Sequence, residues 1–235
     1  MKRMLKALGT LTVAFAVFVV VARLLFPLPD ISVRESSAAL PASPETQLGA
    51  TFIADTALHP GLSGVIPLQG GHDALASRIE LAAVAEQSLN VQYYIWQDDT
   101  SGIILLDALH EAARRGVRVR LLLDDNGVSG LDSVIAALNA QPNFDVRLFN
   151  PSTVRSPKLL GYAFDFFRMN RRMHNKSFIV DGAIAIVGGR NIGDEYFQVG
   201  DDDFYLDMDV LTTGAVVPET ADMFDAYWNL SLIHI

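Results

Sequence analysis

Apolar and polar positions alternate in three different ways along this chain. From Ala7 to Ala22 there is no charge at all, and Leu24, Leu25 and Phe26 carry the apolar run past Arg23. A stretch of roughly 20 such residues, at about 1.5 Å each, spans a bilayer core. Residues 27–50 (PLPDISVRESSAALPASPETQLGA) are rich in Pro, Ser and Ala with no apolar period, and read as a linker. Beyond them, helical and strand periods take turns. Residues 73–88 place Leu75, Ile79, Ala82 and Ala83 at helical spacing, with Asp73 as N-cap. LNVQYYIW at 89–96 is β-prone. A second helix is predicted over 101–115, closed by Gly116 with Arg114 and Arg115 in its last turn. VRVRLLL at 117–123 is a strand, Ser129-x-x-Asp132 opens a helix to about Ala140, and 146–149 is a short strand.

The remainder is richer in strands. Residues 176–180 and 184–187 flank Asp181-Gly182, a pair that turns a β-hairpin. A strand follows over 206–211, and a helix over 218–228 with Pro218 near its start. Strands alternating with helices predict an α/β sheet covered by helices. The apolar stretch 159–167 (LLGYAFDFF) reads as core, with a lipid-facing lip as the alternative.

Charge changes this picture in two places. Lys2, Arg3 and Lys6 precede the first apolar run, which predicts a cytoplasmic N-terminus with the remainder outside the inner membrane. The pattern favours an uncleaved anchor over a cleavable signal, because Pro27-Leu28-Pro29 stand where a small-x-small cleavage pattern would. Residues 1–26 hold four basic groups and no acids, so residues 27–235 carry 14 basic against 27 acidic side chains, a net of −13. Such a body is repelled by polyanions, which weighs against nucleic acid as the main substrate. The chain of 235 residues has no cysteine, which excludes structural disulfides and thiolate metal sites.

The candidate chemistry is concentrated in one segment. His174-Asn175-Lys176-Ser177-Phe178-Ile179-Val180-Asp181 has the form HxKxxxxD, and Gly188-Gly189-Arg190-Asn191 begins seven residues later. A histidine and a lysine two apart in an apolar run share one face of a predicted strand. An imidazole beside an ammonium suits attack on a phosphodiester, the first as nucleophile or acid and the second offsetting phosphoryl charge. Arg168, Arg171 and Arg172 concentrate positive charge just before the pair, as a phosphate site would. Gly188-Gly189 permits close backbone approach and positive φ, so that Asn191 and local N–H groups reach a phosphoryl oxygen. Asp181 is explained first by the Asp-Gly turn. Asp207 and Asp209, on one face of the 206–211 strand, either fix the histidine's tautomer or line a solvated face. Asp124, Asp125 and Asn126 lie at a strand's carboxyl end, where open α/β sheets bind ligands, but read more simply as loop residues. His59, His72, His110 and His234 have no partners at metal spacing.

HNKSFIVD followed by GGRN resembles the HxKxxxxD plus GGxN pattern of the phospholipase D superfamily. NVQYYIWQDDTSG, GVRVRLLLDDN, RRMHNKSFIVDGAIAIVGGRNIGDEYF and FDAYWN resemble the amino-terminal half of bacterial cardiolipin synthases of the C type, over about residues 70–229. The resemblance implies an α/β/α sandwich that is one half of a pseudo-two-fold pair, each half giving one HxKxxxxD to a shared site. Together with the apolar run and the linker, which lie outside it, the resemblance divides the chain into an anchor or signal at 1–26, a linker at 27–50, and a first phospholipase D-like half at 51–235 that is expected to be cut short at its C-terminus. His174, Lys176 and Asp181 form the implied catalytic set. Lys176, Asn191 and Gly189 bind phosphate, and Asp207 orients the histidine. The implied reaction passes a phosphatidyl group through a phosphohistidine from a phosphatidylglycerol-like phospholipid to an alcohol, without metal or other cofactor. The sequence holds a single HxKxxxxD, so the second half comes from a missing C-terminal part or a second copy. The rival readings are a homodimeric phosphodiesterase or nuclease, and a catalytically incomplete half-domain that binds lipid or a partner chain.

Overall fold

A computed structural model describes residues 1–30, 35–200, 203–230 and 233–234. Residues 31–34 of the predicted linker, and residues 231, 232 and 235 of the tail, lie outside it. In chain order the elements are α1 (Lys2–Leu25), α2 (Gln47–Leu58), β1 (Ser63–Leu68), α3 (Gly71–Val84), β2 (Ser88–Tyr93), α4 (Thr100–Arg114), β3 (Arg118–Asp124), a 3₁₀ turn (Asp125–Gly127), α5 (Asp132–Asn139), β4 (Phe144–Phe149), α6 (Leu159–Met169), β5 (Ser177–Val180), β6 (Ile184–Gly188), α7 (Asp194–Phe197), β7 (Asp209–Gly214), α8 (Val216–Leu230) and β8 (Ile233–His234).

The eight strands form one mixed sheet in the order β1-β7-β6-β5-β2-β3-β4-β8. The β2–β3 and β3–β4 pairs are parallel and the others antiparallel. Both faces are covered, so alternate strand residues enter two separate cores. Leu121, Leu123, Phe178, Val180 and Ile186 pack with α3, α4 and α5. Leu122, Ile179 and Ala185 face α8, which meets them through Val217, Ala221, Phe224 and Trp228, a row at helical spacing. The expected α/β/α layering is therefore present.

The α8 face also buries charge. Arg120 lies between Phe224 and Trp228, 4.8 and 5.2 Å from the ring centroids, and pairs with Asp225 at 2.7 Å. Burial lowers its pKa to about 10, against the pull of Asp225. Ser37 accepts from Arg120 and from the Trp228 indole, and the Ala39 amide donates to Asp225. Part of the stretch read as a linker is thus an extended strap across the sheet.

Several boundaries differ from expectation. Gly70, not Asp73, caps α3, and α5 is preceded by Leu131 with no side-chain cap, its Asp132 being paired with Arg155. The 206–211 strand begins only at Asp209, because the sheet neighbours β1 and β6 engage the chain from there on. Leu206, apolar in an alternating run, is 96% exposed. β5 begins at Ser177, so His174 and Lys176 precede the strand and sit in the extended segment leading into it.

α6 overturns the reading of 159–167 as core. It buries Gly161, Phe164 and Met169 but exposes Leu159, Leu160, Phe166 and Phe167. α1 rests its last turn on this helix: Phe26 stacks on Phe164 at 6.0 Å, and Arg23 pairs with Asp165 at 3.3 Å. The rest of α1 is exposed, and it is long and apolar enough to cross a membrane.

Candidate active site

The segment that carries His174 is fixed from behind by a buried carboxylate. Asp124, at the carboxyl end of β3, pairs with Arg172 at 2.8 Å and accepts the Met173 and Asn126 amides at 2.8 and 2.9 Å. Burial raises its pKa to about 6, against the opposing effect of Arg172 and these amides. Asn150 adds a second tie, donating to the Arg168 and Arg171 carbonyls and accepting Arg172 on its own carbonyl. Met173 is fully buried under α8. The next residue, His174, emerges at the surface.

This arrangement corrects the reading of the arginine cluster. Arg168 is held by Asp165 and the Pro151 carbonyl, and Arg172 by Asp124, so both are scaffold. Only Arg171 has an exposed side chain without a partner among the described residues. Asp124 is correspondingly a positioning residue and not a simple loop residue. Asp125 is taken up by Arg155 and Lys158, at 2.6 and 3.1 Å.

His174 and Lys176 are brought together as expected. Lys176 is buried to 8% exposure and its Nζ donates to the His174 carbonyl at 2.9 Å. Tyr94, just past β2, touches both: its ring lies 4.7 Å from the imidazole and 5.6 Å from the ammonium. Sequence reading assigned Tyr94 nothing, although its place after a strand's carboxyl end is the signal that marks ligand sites in α/β sheets. The imidazole has no hydrogen-bond partner among the described residues. Desolvation, then the nearby Lys176 charge, lower its pKa below the ordinary value. Lys176 is lowered too, by burial first, with Asp207 and Asp209 acting the other way.

Asp207 therefore acts on the lysine; the hydrogen bond by which it would orient His174 is not formed, and its Oδ1 accepts the Met208 amide instead. Asp209 is buried, bonded to Arg78 at 2.8 Å and to the Arg190 amide at 3.2 Å. Neither Gly188 nor Gly189 has positive φ, against expectation. They are needed for close approach: a Cβ on Gly188 would lie 2.1 Å from an Asp209 oxygen, and one on Gly189 2.0 Å from an Asp207 oxygen. Asn191 accepts the Ile95 amide and donates to the Tyr196 hydroxyl, so its amide locks β6's exit to β2's. Asp181 lies at the far end of β5 with φ of 51°, fully buried, accepting the Glu86, Gln87 and Ser88 amides.

A cavity of about 300 Å³ opens beside the pair, between the β5–β6 hairpin and α8, lined by His174, Lys176, Ser177, Gly188, Thr220 and Met223. The buried Ser177 hydroxyl has no partner among the described residues. Asp107, His110 and Glu111 bring ligand atoms within 4.8 Å of one another, but they are a surface group on α4, where Glu111 is already paired with Arg114.

The segment that holds this histidine, lysine and aspartate lies inside a match to a known family. The family described as "Cardiolipin synthase, PLD-like domain" matches residues 79–228. The chain belongs to this family. Cardiolipin synthase C of Escherichia coli is 56% identical over 170 residues, covering 72% of this chain and 36% of that protein. The chain thus spans about a third of the length of such curated relatives. Among solved structures, NucT from Helicobacter pylori superposes with a TM-score of 0.54 at 17% identity, covering 73% of this chain and 98% of that one. The phospholipase D family member Nuc from Salmonella typhimurium gives 0.51 at 19%, covering 72% and 97%. At such identities the two structures attest the fold. The matched fold thus takes up nearly the whole of each of these two solved chains and about a third of the curated relative.

Proposed function

We propose that this chain supplies one half of a phospholipase D-type phosphatidyltransferase, resembling cardiolipin synthase and acting on phospholipid. The observation that carries the reading is the exposed imidazole of His174, without a hydrogen-bond partner among the described residues and kept neutral to lower pH, beside the buried ammonium of Lys176. Neutral His174 attacks the phosphodiester phosphorus. A P–N bond forms, the P–O bond to the headgroup alcohol breaks, and that alkoxide takes a proton from the histidine of a second HxKxxxxD. An acceptor alcohol, such as the glycerol headgroup of a phosphatidylglycerol-like lipid, then returns a proton to that histidine as its oxygen displaces His174. Lys176 offsets charge on the non-bridging oxygens throughout. The second HxKxxxxD comes from further polypeptide or from a second copy. In this reading Asp207 supports the charge on Lys176, while Asp181, Asn191 and Gly189 hold the frame.

α1 serves as the anchor in the inner membrane. Lys2, Arg3 and Lys6 keep its start cytoplasmic and so put the body on the periplasmic side. The test is incubation of the full chain with acyl-labelled phosphatidylglycerol in vesicles, alone and with a segment carrying a second HxKxxxxD. Acid-labile label on the protein and a cardiolipin product, both absent in His174→Asn, are expected. Labelled lipid left unchanged in both incubations overturns the reading. A second reading, a homodimeric phosphodiesterase, takes the second HxKxxxxD from another copy of this chain; the net charge of −13 after residue 26 opposes a nucleic-acid substrate.

A further inference from the structure

α6 leaves outside exactly the kind of side chains that most surface helices bury. Leu159, Leu160, Ala163, Phe166 and Phe167 are all exposed, at i, i+1, i+4, i+7 and i+8 and on both sides of a kink at Asp165 (φ −133°, ψ 31°), and together form an apolar stripe away from the buried Gly161, Phe164 and Met169. Phe167 is 84% and Leu159 77% exposed. An apolar stripe alone does not name its occupant. Here the neighbouring helix does. The end of α1 lies against α6 through Phe26 on Phe164 and Arg23 on Asp165. α1 is 24 residues, about 36 Å, so it exceeds a hydrocarbon core of about 30 Å, and its last turn reaches the polar boundary. Whatever touches that turn is held at the bilayer surface.

The geometry points to α6 as an interfacial helix that inserts its Leu159–Phe167 stripe into the headgroup–acyl boundary of an anionic phospholipid bilayer. This rests on α1 being an anchor, and is independent of the chemistry at His174. Cations flank the stripe at the right level: the Arg23 side chain is 61% exposed, and Arg171, just past the helix, is exposed with no partner among the described residues. Phosphate groups at the surface are the ligands such guanidinium groups take. The consequence for the site is one of distance. His174 follows Met169 by five residues, at most about 18 Å of chain, so a seated α6 holds the imidazole within reach of the headgroup layer.

The absence of cysteine makes the test direct. Single-cysteine chains, Leu160→Cys and Phe167→Cys on α6, Val13→Cys on α1 and Ala137→Cys on the exposed side of α5, are labelled with an environment-sensitive fluorophore. The full chain is then placed in phosphatidylcholine vesicles containing phosphatidylglycerol and lipids brominated near the top of the acyl chain, or near its end to report on the mid-helix Val13 label. The α6 labels should be quenched several-fold more than the Ala137 label, and more weakly when phosphatidylglycerol is left out. Quenching at Val13 with none above the Ala137 level on α6 overturns the inference and leaves the anchor standing. No quenching at Val13 removes the anchor instead. Labels on α6 shielded from both brominated lipid and aqueous iodide mean that protein covers the stripe, which overturns the inference as well.

Discussion

The two ends of β5 carry the same motif and are built in opposite ways. At the Asp181 end a carboxylate is fully buried, sits in a turn with φ of 51°, and accepts three backbone amides from residues 86–88. At the His174 end an imidazole is exposed, with no hydrogen-bond partner among the described residues and only a tyrosine ring and a lysine beside it. One end is satisfied and rigid, the other unsatisfied and available. The spacing in HxKxxxxD is therefore the length of a short strand that joins a buried carboxylate to an exposed imidazole, and the two terminal residues should fail differently.

The largest expected effect is on activity at the open end. His174→Asn should lower phosphatidyl transfer by at least about 10³-fold, as loss of a covalent nucleophile does, while thermal unfolding stays within about 1 °C of the parent. Asp181→Ala should give the reverse, a loss of about 3 kcal/mol or more in denaturant unfolding, because three amides lose their acceptor and alanine is strained at positive φ. Equal effects of the two changes on both readouts would break the comparison. Asp124→Ala should fall between them, losing about 2–4 kcal/mol and some activity, since Arg172 is left unpaired and the Met173 amide unsatisfied just before His174.

Two smaller effects sharpen it. Asp124 in the folded state has a pKa of about 6, above its ordinary carboxylate value, so between about pH 4 and 6 the folded chain binds more protons than the unfolded one. Its contribution to stability therefore falls as pH rises through that window, and Asp124→Asn should flatten this slope in urea titrations. The smallest is at the nucleophile. Lys176 is one of the groups that lower the His174 pKa, so Lys176→Met should move the acid limb of the residual activity profile to higher pH.

Much of the sheet was legible because its periods are clean: VRVRLLL and SFIV sort into alternate cores as their spacing says. Pairing of His174 with Lys176 was legible too, since two residues two apart in extended chain need no distant information. What misled was polarity whose partner lies far along the chain. Arg172 and Asp124 are 48 residues apart, so a structural ion pair looked like free phosphate-binding charge. Arg120 and Arg147 carry no signal of burial in the sequence, yet Arg120 lies over Phe224 and Trp228 of α8 and Arg147 over Trp228. FYLDMD alternates like a strand, yet its register is decided by β1 and β6, which engage it only from Asp209. Where polar groups are buried in pairs, composition alone assigns them to solvent.

The bonds from Asp181 to residues 86–88 also set an order of assembly. β2 can pair with β3 once residue 124 has left the ribosome, but its other edge stays open until β5 is made, about 90 residues after β2. At 5–20 residues per second that wait is on the order of 5–20 s. During it the nascent chain presents an unpaired strand edge, a place where another chain can add. The same strand closes that edge and brings His174 and Lys176 to Tyr94, so no copy can carry this arrangement while that edge of β2 is still open. Synthesis of β5 thus closes the open edge of β2 and assembles the His174–Lys176 pair in a single step.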